Sequence, residues 1–124
     1  MSRTLAIGDI HGGFKALIQV LDRAKVTRED RLIFLGDYVD GWSETPELLS
    51  YLIQLKEERD CIFIRGNHDD LVLGWFKTGN SNPKWLQHGG DSTIKAYETV
   101  NPTLKNLHHR FLENLTNYHI DSQN

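Results

Sequence analysis

Three short apolar runs in this chain each stop at, or one residue before, a glycine followed by side chains that can hold a cation or a proton. Leu5-Ala6-Ile7 runs into Gly8-Asp9-Ile10-His11-Gly12. Leu32-Ile33-Phe34-Leu35 runs into Gly36-Asp37-Tyr38-Val39-Asp40-Gly41, and Cys61-Ile62-Phe63-Ile64 into Arg65-Gly66-Asn67-His68-Asp69. Apolar runs this short, without polar alternation, are expected of strands buried on both faces, as in parallel sheets. Asp37 follows Asp9 by 28 positions and Asn67 follows Asp37 by 30, about one strand-plus-helix unit each time. Steps of that length bring the polar tips to one edge of adjacent parallel strands, where open α/β sheets bind their ligands.

The segments between and after these runs carry helical spacing. Phe14, Leu17, Ile18 and Leu21 form one stripe, with a helix end expected near Lys25. Thr45-Pro46 reads as an N-cap and first helical residue ahead of Leu48, Leu49, Leu52, Ile53 and Leu55. A third helix should follow His68 and stop at Gly79, with Asp69 and Asp70 in the first turn where the helix dipole favours acids. Gly89-Gly90 marks a turn before a short helix through Tyr97, and Asn101-Pro102 opens a last helix with Leu104, Leu107, Phe111, Leu112 and Leu115 as its stripe. His108 and His109 are expected at the surface or edge of that helix. The order is βαβαβα followed by helices, an α/β fold with a parallel sheet and right-handed crossovers.

At 124 residues, positions 1–124 make one domain at most. A formal net charge of −3 gives no electrostatic case for nucleic acid or an anionic membrane as partner. The single cysteine, Cys61, excludes an internal disulfide and is expected to pack as a small hydrophobe in its strand. No apolar run approaches the ~20 residues of a membrane span. Met1-Ser2-Arg3 leads straight into a strand, so no signal peptide is expected and cytoplasm is the default compartment. The first strand lacks the G-x-G-x-x-G of a dinucleotide fold, and no Gly-Lys-Ser/Thr of a P-loop is present.

Asp and His together at strand tips suit borderline divalent metals such as Mn²⁺, Fe²⁺ or Zn²⁺. Asp9 and His11 are two positions apart and can converge on one ion; Asp37 on the neighbouring tip can bridge two, and Asn67 offers a neutral carbonyl oxygen to the second. Two ions ~3.5–4 Å apart lower the pKa of a shared water and clamp the attacking and leaving oxygens of a phosphoryl transfer. His68 is the candidate general acid for the leaving alkoxide, oriented by Asp40. Arg65 reads equally as a phosphate contact or a structural ion pair. Trp42 reads as a substrate platform or a packing residue.

The motifs Gly8-Asp9-Ile10-His11-Gly12, Gly36-Asp37-Tyr38-Val39-Asp40 and Arg65-Gly66-Asn67-His68-Asp69 resemble the N-terminal motifs of the calcineurin-like metallophosphoesterases. The likeness is greatest to the branch holding serine/threonine phosphoprotein phosphatases and diadenosine tetraphosphatase-like enzymes. The resemblance implies the βαβαβα half of an αββα sandwich. It implies two divalent metal ions, Mn²⁺ first with Fe or Zn as alternatives. Asp9 and His11 would hold the first, Asp37 would bridge, Asn67 would reach the second, and His68 with Asp40 would form the acid dyad. The implied reaction is hydrolysis of a phosphomonoester, on a phosphoprotein or a nucleotide, by a metal-activated hydroxide.

The chain departs from the family pattern in two places. Gly41 and Trp42 follow Asp40 where phosphoprotein phosphatases carry a phosphate-binding Arg, and no later Gly-His or His-Ala-Gly motif completes the metal shells. The domain is therefore expected to be incomplete at its C-terminal end, with Tyr118 onward approaching another strand. A diadenosine polyphosphate hydrolase is the alternative activity, and a non-catalytic fragment or metal-binding module the alternative class. His88, before Gly89-Gly90, is a weaker candidate for the substrate site.

Overall fold

The computed structural model describes residues 2–121. A parallel sheet in the order β1-β2-β3 is built from β1 (Thr4–Ile7), β2 (Arg31–Phe34) and β3 (Cys61–Phe63). Its register aligns Ile7 with Phe34 and Phe34 with Phe63, so the following loops leave the sheet at the same level. Helix α1 (Phe14–Arg23) connects β1 to β2, and α2 (Thr45–Glu58) connects β2 to β3. Beyond β3 come α3 (Asn67–Thr78), a single turn α4 (Pro83–Trp85), α5 (Asp91–Tyr97) and α6 (Pro102–Glu113).

Local chemistry accounts for most boundaries. Gly79 ends α3 in the left-handed region at φ 76°, which a residue without Cβ adopts freely. Asn101 caps α6, its side chain accepting from the Leu104 amide. Thr45 is a correction: it is the first residue of α2 rather than its cap, and its buried hydroxyl has no hydrogen-bond partner. Between α4 and α5 the backbone leaves helical geometry at His88 and at Gly89, where φ is 108°. That kink carries the chain back toward the tip of β2.

One face of the sheet holds the core. Leu32, Phe34 and Phe63 point into it and meet Leu48, Leu49 and Leu52 of α2, Val72 of α3, and Phe111 and Leu112 of α6. Phe34 stacks on Phe63 at 4.9 Å, and Phe111 meets Phe63 edge-on at 5.1 Å, tying β2, β3 and α6 together. Each such side chain contributes about 1.5–3 kcal/mol by leaving water. The expectation of strands buried on both faces is not met. Ile33 and Ile62 are only half-buried, Ala6 is exposed and Leu35 is 48% exposed. The described helices cover one face, so the apolar runs encode a face that they leave in contact with solvent. After α6, Thr116 pairs in parallel with Ile64, extending the sheet past β3 by a single bridge. Asp121 then reaches Arg31 at 3.0 Å.

His108 corrects another expectation. It is fully buried, with Nδ1 2.7 Å from the Tyr97 hydroxyl and Nε2 2.9 Å from Ser50 Oγ. His109 lies against the Phe76 ring. Cys61 is half-buried in β3, and burial pushes its thiol up to about 11.

Candidate metal centre

The loops after β1 and β2 are laced together before any side chain is considered. The amides of Ile10 and His11 both donate to the Asp37 carbonyl, at 3.1 and 2.9 Å, and the Gly12 amide donates to the Tyr38 carbonyl at 2.7 Å. The loop after β3 joins through Asp69. Its carboxylate, 1% exposed, accepts from the amides of Asp37 (2.7 Å), Gly66 (2.8 Å) and Tyr38 (2.9 Å). Burial raises its pKa to about 6 while those amides pull the other way. Gly66 packs so tightly against Asp37 that a Cβ there would overlap its backbone nitrogen and carboxylate. Tyr38, fully buried, donates its hydroxyl to the Ile64 carbonyl at 2.8 Å.

This lacing brings donor atoms of Asp9, His11 and Asp37 within 4.8 Å of one another. His11 Nδ1 faces the Val39 carbonyl at 2.9 Å, which fixes that nitrogen as the N–H and leaves Nε2 as the free donor atom. His11 Nε2 lies 3.6 Å from Asp9 Oδ2. Two carboxylates and one imidazole, half in solvent, are a donor set suited to a borderline divalent cation. Asn67 lies beside Asp37 with its amide nitrogen 3.2 and 3.3 Å from the two carboxylate oxygens in the orientation that satisfies both groups. That orientation turns its carbonyl oxygen away from Asp37. Turned over, the same amide would aim its carbonyl oxygen to the Asp37 side, the orientation in which Asp37 and Asn67 could share a second cation.

His68 and Asp40 form the other half of the site. His68 Nδ1 lies 2.8 Å from Asp40 Oδ2, and the His68 amide donates to Asp37 Oδ1 at 2.9 Å. The His68 ring meets the His11 ring edge-on at 5.0 Å, so the pair borders the donor cluster. His11, Asp37 and Asp40 adopt left-handed backbone conformations, with φ of 49°, 57° and 67°. Such geometry costs about 1–3 kcal/mol per non-glycine residue and concentrates at functional sites.

Of the remaining candidates, Arg65 is not brought to the cluster. Its guanidinium donates to the carbonyls of Leu112 (3.2 Å), Glu113 (3.1 Å) and Leu115 (3.4 Å), so it caps the C-terminal end of α6. Its contact with Asp70 is long, at 3.4 Å. Of its two readings, the geometry fits the structural one. His88 is exposed at the kink, one residue before Gly89, which packs against Asp40 and Gly41. Trp42 is 70% exposed on the rim, its amide donating to the His11 carbonyl at 2.8 Å. Asp69, which the sequence marks only as a first-turn helix acid, supports the site, as do Trp85 and Thr93. Asp69 has the signal of an acid at the fourth residue of the Gly66 turn, but nothing local marks Trp85 or Thr93.

A family model described as calcineurin-like phosphoesterase matches residues 2–123. The chain belongs to that family. Among curated proteins, serine/threonine-protein phosphatase 2 of Escherichia coli is 30% identical, over 92% of this chain and 53% of its own length. The asymmetrical bis(5'-nucleosyl)-tetraphosphatase PrpE of Oceanobacillus iheyensis is 24% identical over 86% of this chain and 46% of its own. The calcineurin-like chain thus spans about half the length of these relatives. A solved metallophosphoesterase from Sphaerobacter thermophilus superposes with a TM-score of 0.65 at 27% identity, over 95% of this chain and 42% of that one. The shared fold is mixed α/β around the three-stranded parallel sheet. No helix among the described residues is long and apolar enough to cross a membrane.

Proposed function

We propose that this calcineurin-like protein takes part in metal-dependent hydrolysis of phosphomonoesters, with a serine/threonine phosphatase type of substrate. The observation that carries the reading is the meeting of the Asp9–His11–Asp37 donors with the His68–Asp40 pair at one sheet edge. Asp9, His11 and Asp37 would hold a first divalent cation, Asp37 and Asn67 would reach a second, and Mn²⁺ suits this mixed oxygen and nitrogen set. Bound there, such cations supply a water of lowered pKa and neutralise charge on the phosphoryl oxygens.

The chain's own groups handle the leaving side. When water attacks phosphorus and the ester P–O bond breaks, the departing oxygen needs a proton. In the protonated ring, His68 Nδ1–H donates to Asp40 and Nε2–H is left to donate to that oxygen. The ring then rests as the neutral Nδ1–H tautomer, and Asp40 has stabilised the charged form without leaving its place. The test is hydrolysis of p-nitrophenyl phosphate with and without Mn²⁺, with Asp37→Asn as control. Mn²⁺-dependent turnover lost in the variant is expected; a folded protein inert under all conditions removes catalysis by this chain alone.

A nucleotide polyphosphate is the second reading, and Trp42 favours it. Gly41 leaves no guanidinium next to Asp40, while an indole 70% exposed on the rim offers a face for base stacking. Comparing diadenosine tetraphosphate with a phosphopeptide separates the readings. Loss of the former activity alone in Trp42→Ala would favour the nucleotide.

A further inference from the structure

We propose that Trp85 and Thr93 are positioning residues for the proton-donating pair, holding Asp40 so that it presents one oxygen to His68. The inference rests on the reading of His68 as general acid given above.

Asp40 is 1% exposed, and a buried carboxylate must be met by donors. Its Oδ2 accepts from the Trp85 indole at 2.6 Å as well as facing His68 Nδ1. Its Oδ1 accepts from the Thr93 hydroxyl at 2.5 Å. The same hydroxyl lies 3.1 Å from the Asp40 amide and accepts from it, so Thr93 grips main chain and side chain together. Trp85 is 3% exposed and Thr93 fully buried, so neither site is shared with solvent.

The intervening backbone is shaped for this task. Gly90 packs onto the Trp85 indole with no room for a Cβ. Gly89, at φ 108°, lies where a Cβ would come within 2.9 Å of the Gly41 nitrogen. Ser92 Oγ accepts from the Gly41 amide at 3.0 Å and donates to the Gly89 carbonyl at 2.7 Å. The kink between α4 and α5 therefore closes against the loop that carries Asp40. Fixing both carboxylate oxygens selects the rotamer that meets Nδ1, and through it the tautomer that leaves Nε2 for the leaving group. Trp85 and Thr93 act through Asp40.

The test uses Thr93→Val, which keeps shape and removes the hydroxyl, Trp85→Phe, which removes the indole N–H, and Thr93→Ser as the conservative rescue. Circular dichroism first establishes that each is folded. The first readout is the His68 side-chain ¹⁵N spectrum of metal-free protein at alkaline pH. The parent and Thr93→Ser should show the Nδ1–H tautomer, and the other two a clear admixture of Nε2–H. The second readout is kcat with Mn²⁺ on esters of different leaving group. On phenyl phosphate, whose oxygen needs a proton, kcat should fall about 10- to 100-fold in Thr93→Val and Trp85→Phe. On p-nitrophenyl phosphate it should change less than about threefold, with KM unaltered on both. An unchanged tautomer in folded variants, or equal losses on both esters, would overturn the proposal. A parent without turnover would remove catalysis by this chain alone, while the tautomer measurement would still decide the positioning role.

Discussion

His108 gives the protein a stability that should fall as the medium is acidified. Its ring is fully buried between Ser50 and Tyr97, and burial lowers its pKa from 6.5 to about 4. Burial keeps the Tyr97 phenol protonated, and the neutral ring, with one nitrogen donating and the other accepting, is satisfied between that hydroxyl and Ser50 Oγ. Protonation would make both ring nitrogens donors and place a charge in a fully buried site.

The sign follows from proton counting. Between pH 6.5 and 4 the unfolded chain binds a proton that the folded chain refuses, so stability drops as pH drops. The loss is about 1 kcal/mol at pH 6, about 2 kcal/mol at pH 5, and levels off near 3 kcal/mol below pH 4. Above pH 6.5 the contribution is fully present and flat. Urea unfolding at pH 7.5, 6 and 5, followed by far-UV circular dichroism, should show that decline in the parent. In His108→Gln, which presents an amide near Nε2 and carries no titrating group, the decline should shrink by about 2 kcal/mol at pH 5 even though the variant starts less stable. A slope unchanged in His108→Gln would refute the argument and assign the acid sensitivity to other groups.

Asp37→Asn should abolish the rise in melting temperature that excess Mn²⁺ gives the parent, because a cation that binds only the folded state stabilises it by mass action; differential scanning fluorimetry reads this directly. Gly66→Ala should destabilise the fold by about 3 kcal/mol or more, since the new methyl overlaps both the backbone nitrogen and the carboxylate of Asp37; normal stability by urea titration would contradict the packing described. Arg65→Met should lower stability by about 1–3 kcal/mol by stripping the carbonyls at the end of α6 of their donor, and should leave Mn²⁺ affinity within about twofold by isothermal titration calorimetry.

The strands, their parallel order and the convergence of Asp9, His11 and Asp37 were legible because each rests on a local signal. Apolar runs, glycines at tips and steps of one βα unit are all short-range patterns. Helix ends at Gly79 and Asn101 were legible for the same reason. The rest was set by long-range packing. Trp85 and Thr93 meet Asp40 across 45 and 53 residues, and no periodicity announces that. Arg65 looked ambiguous because the carbonyls it binds belong to a helix end 47 residues away. His108 was misplaced because a histidine beside the stripe of α6 looks solvent-facing until α5 and α2 supply Tyr97 and Ser50. Thr45 had the right residue type for a cap and lost that place when the helix began one residue earlier.

The left-handed residues divide the molecule in a way that selection experiments would expose. Lys25, at φ 52°, sits where the chain turns after α1, and glycine there would relax the backbone by about 1 kcal/mol with only a flexible side chain forfeited. At His11, Asp37 and Asp40 the same relaxation would erase a donor atom. A variant library sorted for thermal endurance and one sorted for turnover should therefore agree at position 25 and part company at 11, 37 and 40. The pattern of disagreement would trace the outline of the working centre without a ligand ever being seen.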